Sequence, residues 1–497
     1  MKTTTLQRAA LPLALCMLAL APGCRKRQAE PPQTVEVSGD READEMAPRE
    51  PERLRRDNDE NTRLLPTRTE PPTAAELTPR PVEGAWSTWR GNDERTGRRS
   101  APAITTPTVA WRTEVGIGGY ANTVIVDRDT IYVSTQGTSH DSADPRDGVV
   151  ALDRADGTIR WRFRTAHDAG GMTLHDGRLY VVSKSGVVHA VDATSGQELW
   201  SRDLECPLWA APLVHDEYVY VLHDGVPLRL YASNGVPEIT PGSCRIGERG
   251  GASSNGDLVV STGVSDHVRA WRGPRRWWTS SAPDDTIHRT RSWVPAQLAG
   301  DVVLSSYTGW PVPSDEARGG FEMRAAIVAR WLDSGQVAWV HDAVGEDPSA
   351  RFDASLRYFI QQPYVDGTRG LYASTRRPEV TIIDLTTGER AGGVPLPDCR
   401  TRQFASIVGT DEVAYLARHD GVLYQLQLGE APSITWTFAL GSRGVSGQRT
   451  THDPQPAGRC HPGPVDGTAL FATPAIGADG TVYVLSGEGW LYAIANR

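Results

Sequence analysis

The chain has 497 residues, 39% apolar and 23% charged, with a formal net charge of −9, 49 Gly and 35 Pro. That balance offers no basic face, which argues against nucleic acid as a partner, and so many turn formers argue against a mainly helical protein. Fifteen Trp against seven Phe is a skew that needs a structural reason.

At the N-terminus, Lys2 and Arg8 accompany an apolar run from Leu11 to Ala21. The run is too short to span a bilayer as a mature helix and reads as a leader, residues 1–24. It ends in Ala21-Pro22-Gly23-Cys24, which resembles a bacterial lipobox although Ala21 stands where Leu is commonest. Cleavage before Cys24 and lipidation of its thiol are expected, with plain secretion the alternative. Arg25 follows the Cys, in place of the Asp that retains lipoproteins at the inner membrane of enterobacteria, so the expected destination is the outer membrane. Residues 25–82 are dominated by Pro, Glu, Arg and Thr and are expected to form a disordered charged tether. Residues 83–497 carry the folding pattern.

That pattern is a repeat of short β-branched and aromatic runs divided by tight-turn signals. Its plainest copy spans 169–200, where Asp176-Gly177 and Ser185-Gly186 separate three runs and a third turn, Asp192 to Gly196, leads into Gln197-Glu-Leu-Trp200. Four short antiparallel strands of this kind form one propeller blade. Other copies start near Asn122, Ala211, Leu258, Val302, Leu371, Val413 and Thr473, which predicts eight blades. The last copy runs out of chain after three strands. Thr108 to Val115, with Trp111, reads as an outer strand with no blade before it. The expected fold is an all-β, eight-bladed ring of four-stranded antiparallel blades, closed by pairing the N-terminal strand with the C-terminal blade.

Gly157-Thr-Ile-Arg-Trp161, Gly196-Gln-Glu-Leu-Trp200, Gly273-Pro-Arg-Arg-Trp277 and Gly335-Gln-Val-Ala-Trp339 share the spacing Gly-x-x-x-Trp. The Gly suits a left-handed turn position, and the Trp ring can be buried between blades while its N–H finds a carbonyl. Trp111, Trp161, Trp200, Trp277, Trp339 and Trp436 are therefore expected as blade-docking residues. Ile239 and Gly392 stand where blades three and six should carry Trp, so those seams are expected to pack by other contacts. Together with the lead-in Trp86-Ser-Thr-Trp89-Arg-Gly-Asn92 and Arg95-Thr-Gly97, the repeat resembles quinoprotein-type (PQQ-like) β-propellers over residues 84–497.

That family includes enzymes and binders. The enzyme branch implies a quinone and Ca²⁺ in the central funnel, a carboxylate base and often adjacent cysteines. No two of the six Cys here are neighbours, and no Glu/Asn/Asp set matches position by position. No catalytic residue is assigned, and any cofactor-binding residues stay unknown. Asp284-Asp285 reads as solvated. Cys460-His461 lacks the earlier Cys of a haem motif, and His452, Asp453 and His461 read as surface loop residues, so no metal is expected. In an exported protein, Cys206–Cys244 and Cys399–Cys460 are expected disulfides, with free buried thiols the alternative. An insertion carrying Tyr307, Trp310 and Phe321 is a candidate partner-binding loop, and a second insertion spans residues 441–467. The resemblance, particularly to lipid-anchored envelope-assembly members of the family, implies a monomeric, non-enzymatic scaffold that docks other envelope proteins. The alternative is a periplasmic oxidoreductase using PQQ and calcium; a glycan-binding module is a third reading.

Overall fold

The computed structural model describes residues 65, 67–119, 121–138, 142–223, 226–239, 241, 250–263, 267–281, 294–307, 312–313, 321–322, 325–343, 361–374, 377–397, 406–418, 421–440 and 472–497. They form eight small antiparallel sheets, the blades of a propeller, and one two-stranded pair, Val312–Pro313 with Phe321–Glu322. Blade II shows the plan: Ala169–His175 innermost, then Arg178–Ser183, Val187–Asp192 and Glu198–Asp203 outermost. Its second strand is almost wholly buried, because blades cover both of its faces. Its outer strand alternates between exposed and half-buried residues, since only one face meets a neighbour. This explains why the inner runs are continuously apolar and the outer ones are not.

Blade VIII closes the ring. Ala475–Ile476, Val482–Leu485 and Trp490–Asn496 come from the C-terminus, and Pro107–Glu114 supplies the outer strand, with Trp111 opposite Ala493 and Glu114 opposite Trp490. One apolar cluster runs through this closure, joining Trp86, Ile131 and Leu152 to Leu423, Ile476, Val484 and Ile494. Blade III departs from the plan. Among the described residues it has three strands, Leu213–His215, Tyr218–His223 and Val226–Tyr231. Among the described residues the next segment meets it through one bridge, Leu230 to Pro237, flanked by hydrogen bonds from Glu238 N to Arg229 O and from Tyr231 N to Val236 O, both 2.9 Å.

Packed chain begins before residue 83. Residues 67–82, expected as tether, lie against the ring: Leu77 and Val82 are buried, and Arg68 stacks 4.1 Å from the Trp331 ring while its Nη2 meets Asp333 at 2.9 Å. Charged composition hid two apolar anchors and one Arg with a specific partner. Residues 1–64, including Cys24, lie outside the described residues.

Residues 86–99 thread the ring and touch every blade. Trp86 exchanges backbone hydrogen bonds with Val126 of blade I, and Ser87 O accepts from Leu174 N of blade II at 2.7 Å. Arg95 donates to Pro212 O of blade III and Ala252 O of blade IV at 3.2 and 3.1 Å. Glu94 O accepts from Leu298 N of blade V at 2.9 Å. Arg90 donates to Gln362 O and Pro363 O beside blade VI at 2.8 and 3.0 Å. Gly409 of blade VII is bonded on both sides, to Gly97 O and Arg99 N, and Trp89 Nε1 donates to Thr473 Oγ1 of blade VIII at 3.0 Å. The innermost strands have one edge without a sheet neighbour, and this segment satisfies part of it. Burial pulls the Arg90 guanidinium down to about 9 and that of Arg95 to about 10.

Candidate functional site

Consecutive blades are keyed by one repeated contact. Trp111 donates its indole N–H to Arg154 O at 3.0 Å, Trp161 to Ala193 O at 3.2 Å, Trp200 to Ala232 O at 3.0 Å and Trp339 to Leu385 O at 2.6 Å. Each ring covers the turn glycine of the next blade: Gly157, Gly196, Gly235 and Gly388 respectively. Trp436 donates to Ile104 O at 2.9 Å. Blade VIII receives its outer strand from elsewhere in the chain, so the segment leading into that strand stands in for the missing turn.

In blade IV the docking residue is Trp278, not Trp277. Trp278 pairs across the sheet with Ala270, as Trp161 does with Ala151 and Trp200 with Ala190. Its N–H reaches Leu332 O at 2.9 Å and its ring covers Gly335. Trp277 packs beside it and donates to Asp333 O at 2.9 Å. The cause is turn length. Arg272 pairs directly with Arg275 across Gly273-Pro274; Trp278 falls eight residues after its cross-strand Ala where blades I and II have ten, and Gly273 falls three after it instead of six, so the Gly-to-Trp spacing is five rather than four. Among the described residues the seams after blades III and VI have no such ring: an added Cβ at Gly273 or Gly429 meets nothing within 4 Å.

Tyr307 is not on a binding loop. It ends the buried strand Val302–Tyr307, is 0% exposed, and its hydroxyl accepts from Arg330 Nη2 at 3.0 Å. Its position beside an insertion misled the sequence reading, since the strand runs on through it. Phe321 lies in a two-residue strand whose backbone pairs with Pro313. Trp310, Asp284, Asp285, His452, Asp453 and His461 lie outside the described residues. Cys206 is buried and disulfide-bonded; Cys244, Cys399 and Cys460 also fall outside them.

The two ends of the ring differ. At one, strands are joined by turns of two to five residues, as between His175 and Arg178 or Asp153 and Ile159. From the other depart the long connections, among them Tyr307 to Ala326, Asp342 to Tyr364 and Ala439 to Ala475. At this second end the structure assembles a group that sequence reasoning missed: Asp147, His167 and Asp168, with one donor atom from each within 4.8 Å of the others. Asp147 and Asp168 are buried. Desolvation pushes the Asp147 carboxyl up to about 7, and the nearby charge of Asp168 adds to it. Residues twenty positions apart give no local signal of meeting. This is the one cluster of such donors among the described residues. It contains an imidazole and no amide oxygen, so it does not fit the carboxylate-and-amide calcium set of a quinone enzyme.

Fold and seams together define an eight-bladed propeller of the quinoprotein-like class. A family model described as outer membrane protein assembly factor BamB matches residues 93–163 and 145–437, and the chain belongs to that family. A BamB from Yersinia pestis is 25% identical over 278 residues, 52% of this chain and 66% of that protein. The crystal structure of BamB from Moraxella catarrhalis superposes with a TM-score of 0.54 at 13% identity, covering 79% of this chain and 98% of that one. Quinohemoprotein alcohol dehydrogenase from Comamonas testosteroni reaches 0.55 at 11% identity, over 90% and 85%. At these identities the structural likenesses carry the fold alone.

Proposed function

We propose that this chain is a non-enzymatic scaffold of the bacterial cell envelope, anchored to the outer membrane through lipid on Cys24, whose loop-bearing face docks other envelope proteins. Membership of a family described as an outer membrane assembly factor supports the reading. The observation that carries it is the asymmetry of the ring. Residues 86–99 and the seam tryptophans are spent on internal contacts, while the long connections leave from one end. Surfaces built from connections on a rigid scaffold are the usual place for recognition. The test is cross-linking in intact cells followed by affinity capture of the full chain. Recovery of the same envelope proteins from wild type, lost when the 344–360 connection is shortened without a change in melting temperature, supports docking. An unchanged partner set refutes it. Cys24→Ala should release the protein from the membrane fraction.

The second reading, a PQQ- and calcium-dependent oxidoreductase, is favoured only by the likeness in fold to alcohol dehydrogenases. Dye-linked alcohol oxidation on adding PQQ and Ca²⁺, abolished by chelation, would establish it and displace the scaffold.

A further inference from the structure

We propose that Asp147, His167 and Asp168 form a divalent-cation site, with zinc the ion that the donor set favours. The three residues sit where blades I and II meet. Asp147 opens the third strand of blade I, Asp147–Asp153, and His167-Asp168 lie in the link from its outer strand, Ile159–Arg164, to Ala169–His175 of blade II. Backbone bonds hold the link in place: Thr165 N donates to Asp147 O at 3.1 Å and Lys184 N to Asp168 O at 2.9 Å.

The geometry is close to what a small ion requires. Donors about 2.1 Å from a tetrahedral zinc lie about 3.4 Å from one another. Here they fall within 4.8 Å; His167 Nδ1, 3.3 Å from Asp168 Oδ1, accepts from Asp168 N at 2.8 Å, and a rotation of the imidazole that gives up this bond turns a ring nitrogen to the ion. A second observation is independent of that clustering. Asp147 is 1% exposed, and its Oδ2 accepts from Asp144 N at 2.8 Å, but its Oδ1 has no hydrogen-bond partner. A buried carboxylate oxygen is rarely left so, and a cation supplies the missing contact.

The surroundings leave room for the remaining coordination positions. Asp147 lines a cleft of about 260 Å³ with Glu114, Arg146, Arg162 and Arg164. Two of those cations are engaged elsewhere: Arg146 with Glu114 at 2.5 Å, and Arg162 with the carbonyls of Val115 and Glu114. Water from the cleft can complete a tetrahedron. One imidazole with two carboxylates suits zinc, or manganese after it, better than calcium or magnesium.

The test is isothermal titration of the full chain with Zn²⁺, Mn²⁺ and Ca²⁺, together with Co²⁺ absorption. The variants are Asp147→Asn, which keeps the acceptor for Asp144 N, and His167→Gln. The expected result is one Zn²⁺ per chain, bound at least tenfold more tightly than Ca²⁺ and weakened at least thirtyfold in both variants. Tetrahedral Co²⁺ bands should appear in wild type and vanish in Asp147→Asn, whose melting temperature without metal should equal or exceed that of wild type. No binding to wild type, or equal binding to wild type and Asp147→Asn, overturns the site; the latter would place the ion on other residues.

Discussion

Two glycines of blade II separate the cost of a backbone angle from the cost of an occupied seam. Gly196 and Gly177 have nearly the same φ, +74° and +71°. An added Cβ at Gly177 meets nothing within 4 Å, while at Gly196 it lies 2.7, 2.8 and 3.0 Å from Cδ2, Cε3 and Cγ of Trp161. Alanine at either position carries the left-handed penalty of about 1–2 kcal/mol. At Gly196 it also presses into a ring that is held in place. The Trp161 N–H is bonded to Ala193 O, and the ring packs 5.8 Å from that of Tyr132. Carbon contacts are best at about 3.5–4.0 Å, and forced overpacking costs about 1–3 kcal/mol. Gly196→Ala is therefore expected to destabilise by about 2–5 kcal/mol and Gly177→Ala by about 1–2 kcal/mol. Urea unfolding followed by circular dichroism measures both, read as midpoint shifts at constant slope. In a Trp161→Ala background the excess at Gly196 should disappear, because the ring is gone. Equal losses at the two glycines, or an excess that survives without Trp161, would refute the seam argument.

Three further outcomes follow from the same structure. Trp278→Ala should cost about 3–5 kcal/mol, the range for a buried aromatic, and clearly more than Trp277→Ala in the same unfolding experiment, since Trp278 is 2% exposed and Trp277 half-buried. Arg95→Met should lose about 3 kcal/mol or more, because a buried guanidinium that donates to Ala252 O and Pro212 O is removed and Pro212 O keeps only the Thr173 hydroxyl; a midpoint within error of wild type would contradict the threading described for residues 86–99. Burial holds the imidazole of His341 below its ordinary value of 6.5, between Gly388 O and the Tyr372 hydroxyl. The unfolded chain then binds the extra proton first. The stability contributed by neutral His341 is complete above about 6.5 and lost as pH falls through the folded value. Melting temperatures between pH 7.5 and 5 should fall less steeply in His341→Gln than in wild type.

The repeat, the strand count per copy and the need to close the ring were legible because each rests on short-range pattern. Apolar runs, turn glycines and Gly-x-x-x-Trp recur every few dozen residues, and a blade lacking its last strand implies a donor such as Thr108 to Val115. Gly-x-x-x-Trp located Trp161, Trp200 and Trp339, position on an outer strand located Trp111 and Trp436, and the sixth docking residue was misplaced by one. A two-residue turn at Gly273-Pro274 changes the frame, and turn length is decided by backbone pairing across the sheet. Tyr307 was misread for a related reason, since proximity to an insertion in sequence says nothing about burial between blades. What only the tertiary structure decided joins distant residues: Arg90 with Gln362, Arg95 with Ala252, Asp147 with Asp168. Local periodicity specifies which faces of a strand are apolar. Which carbonyl an arginine reaches, and which carboxylates meet at the junction of two blades, depends on how eight nearly equivalent sheets are rotated about one axis, and no window of sequence contains that rotation.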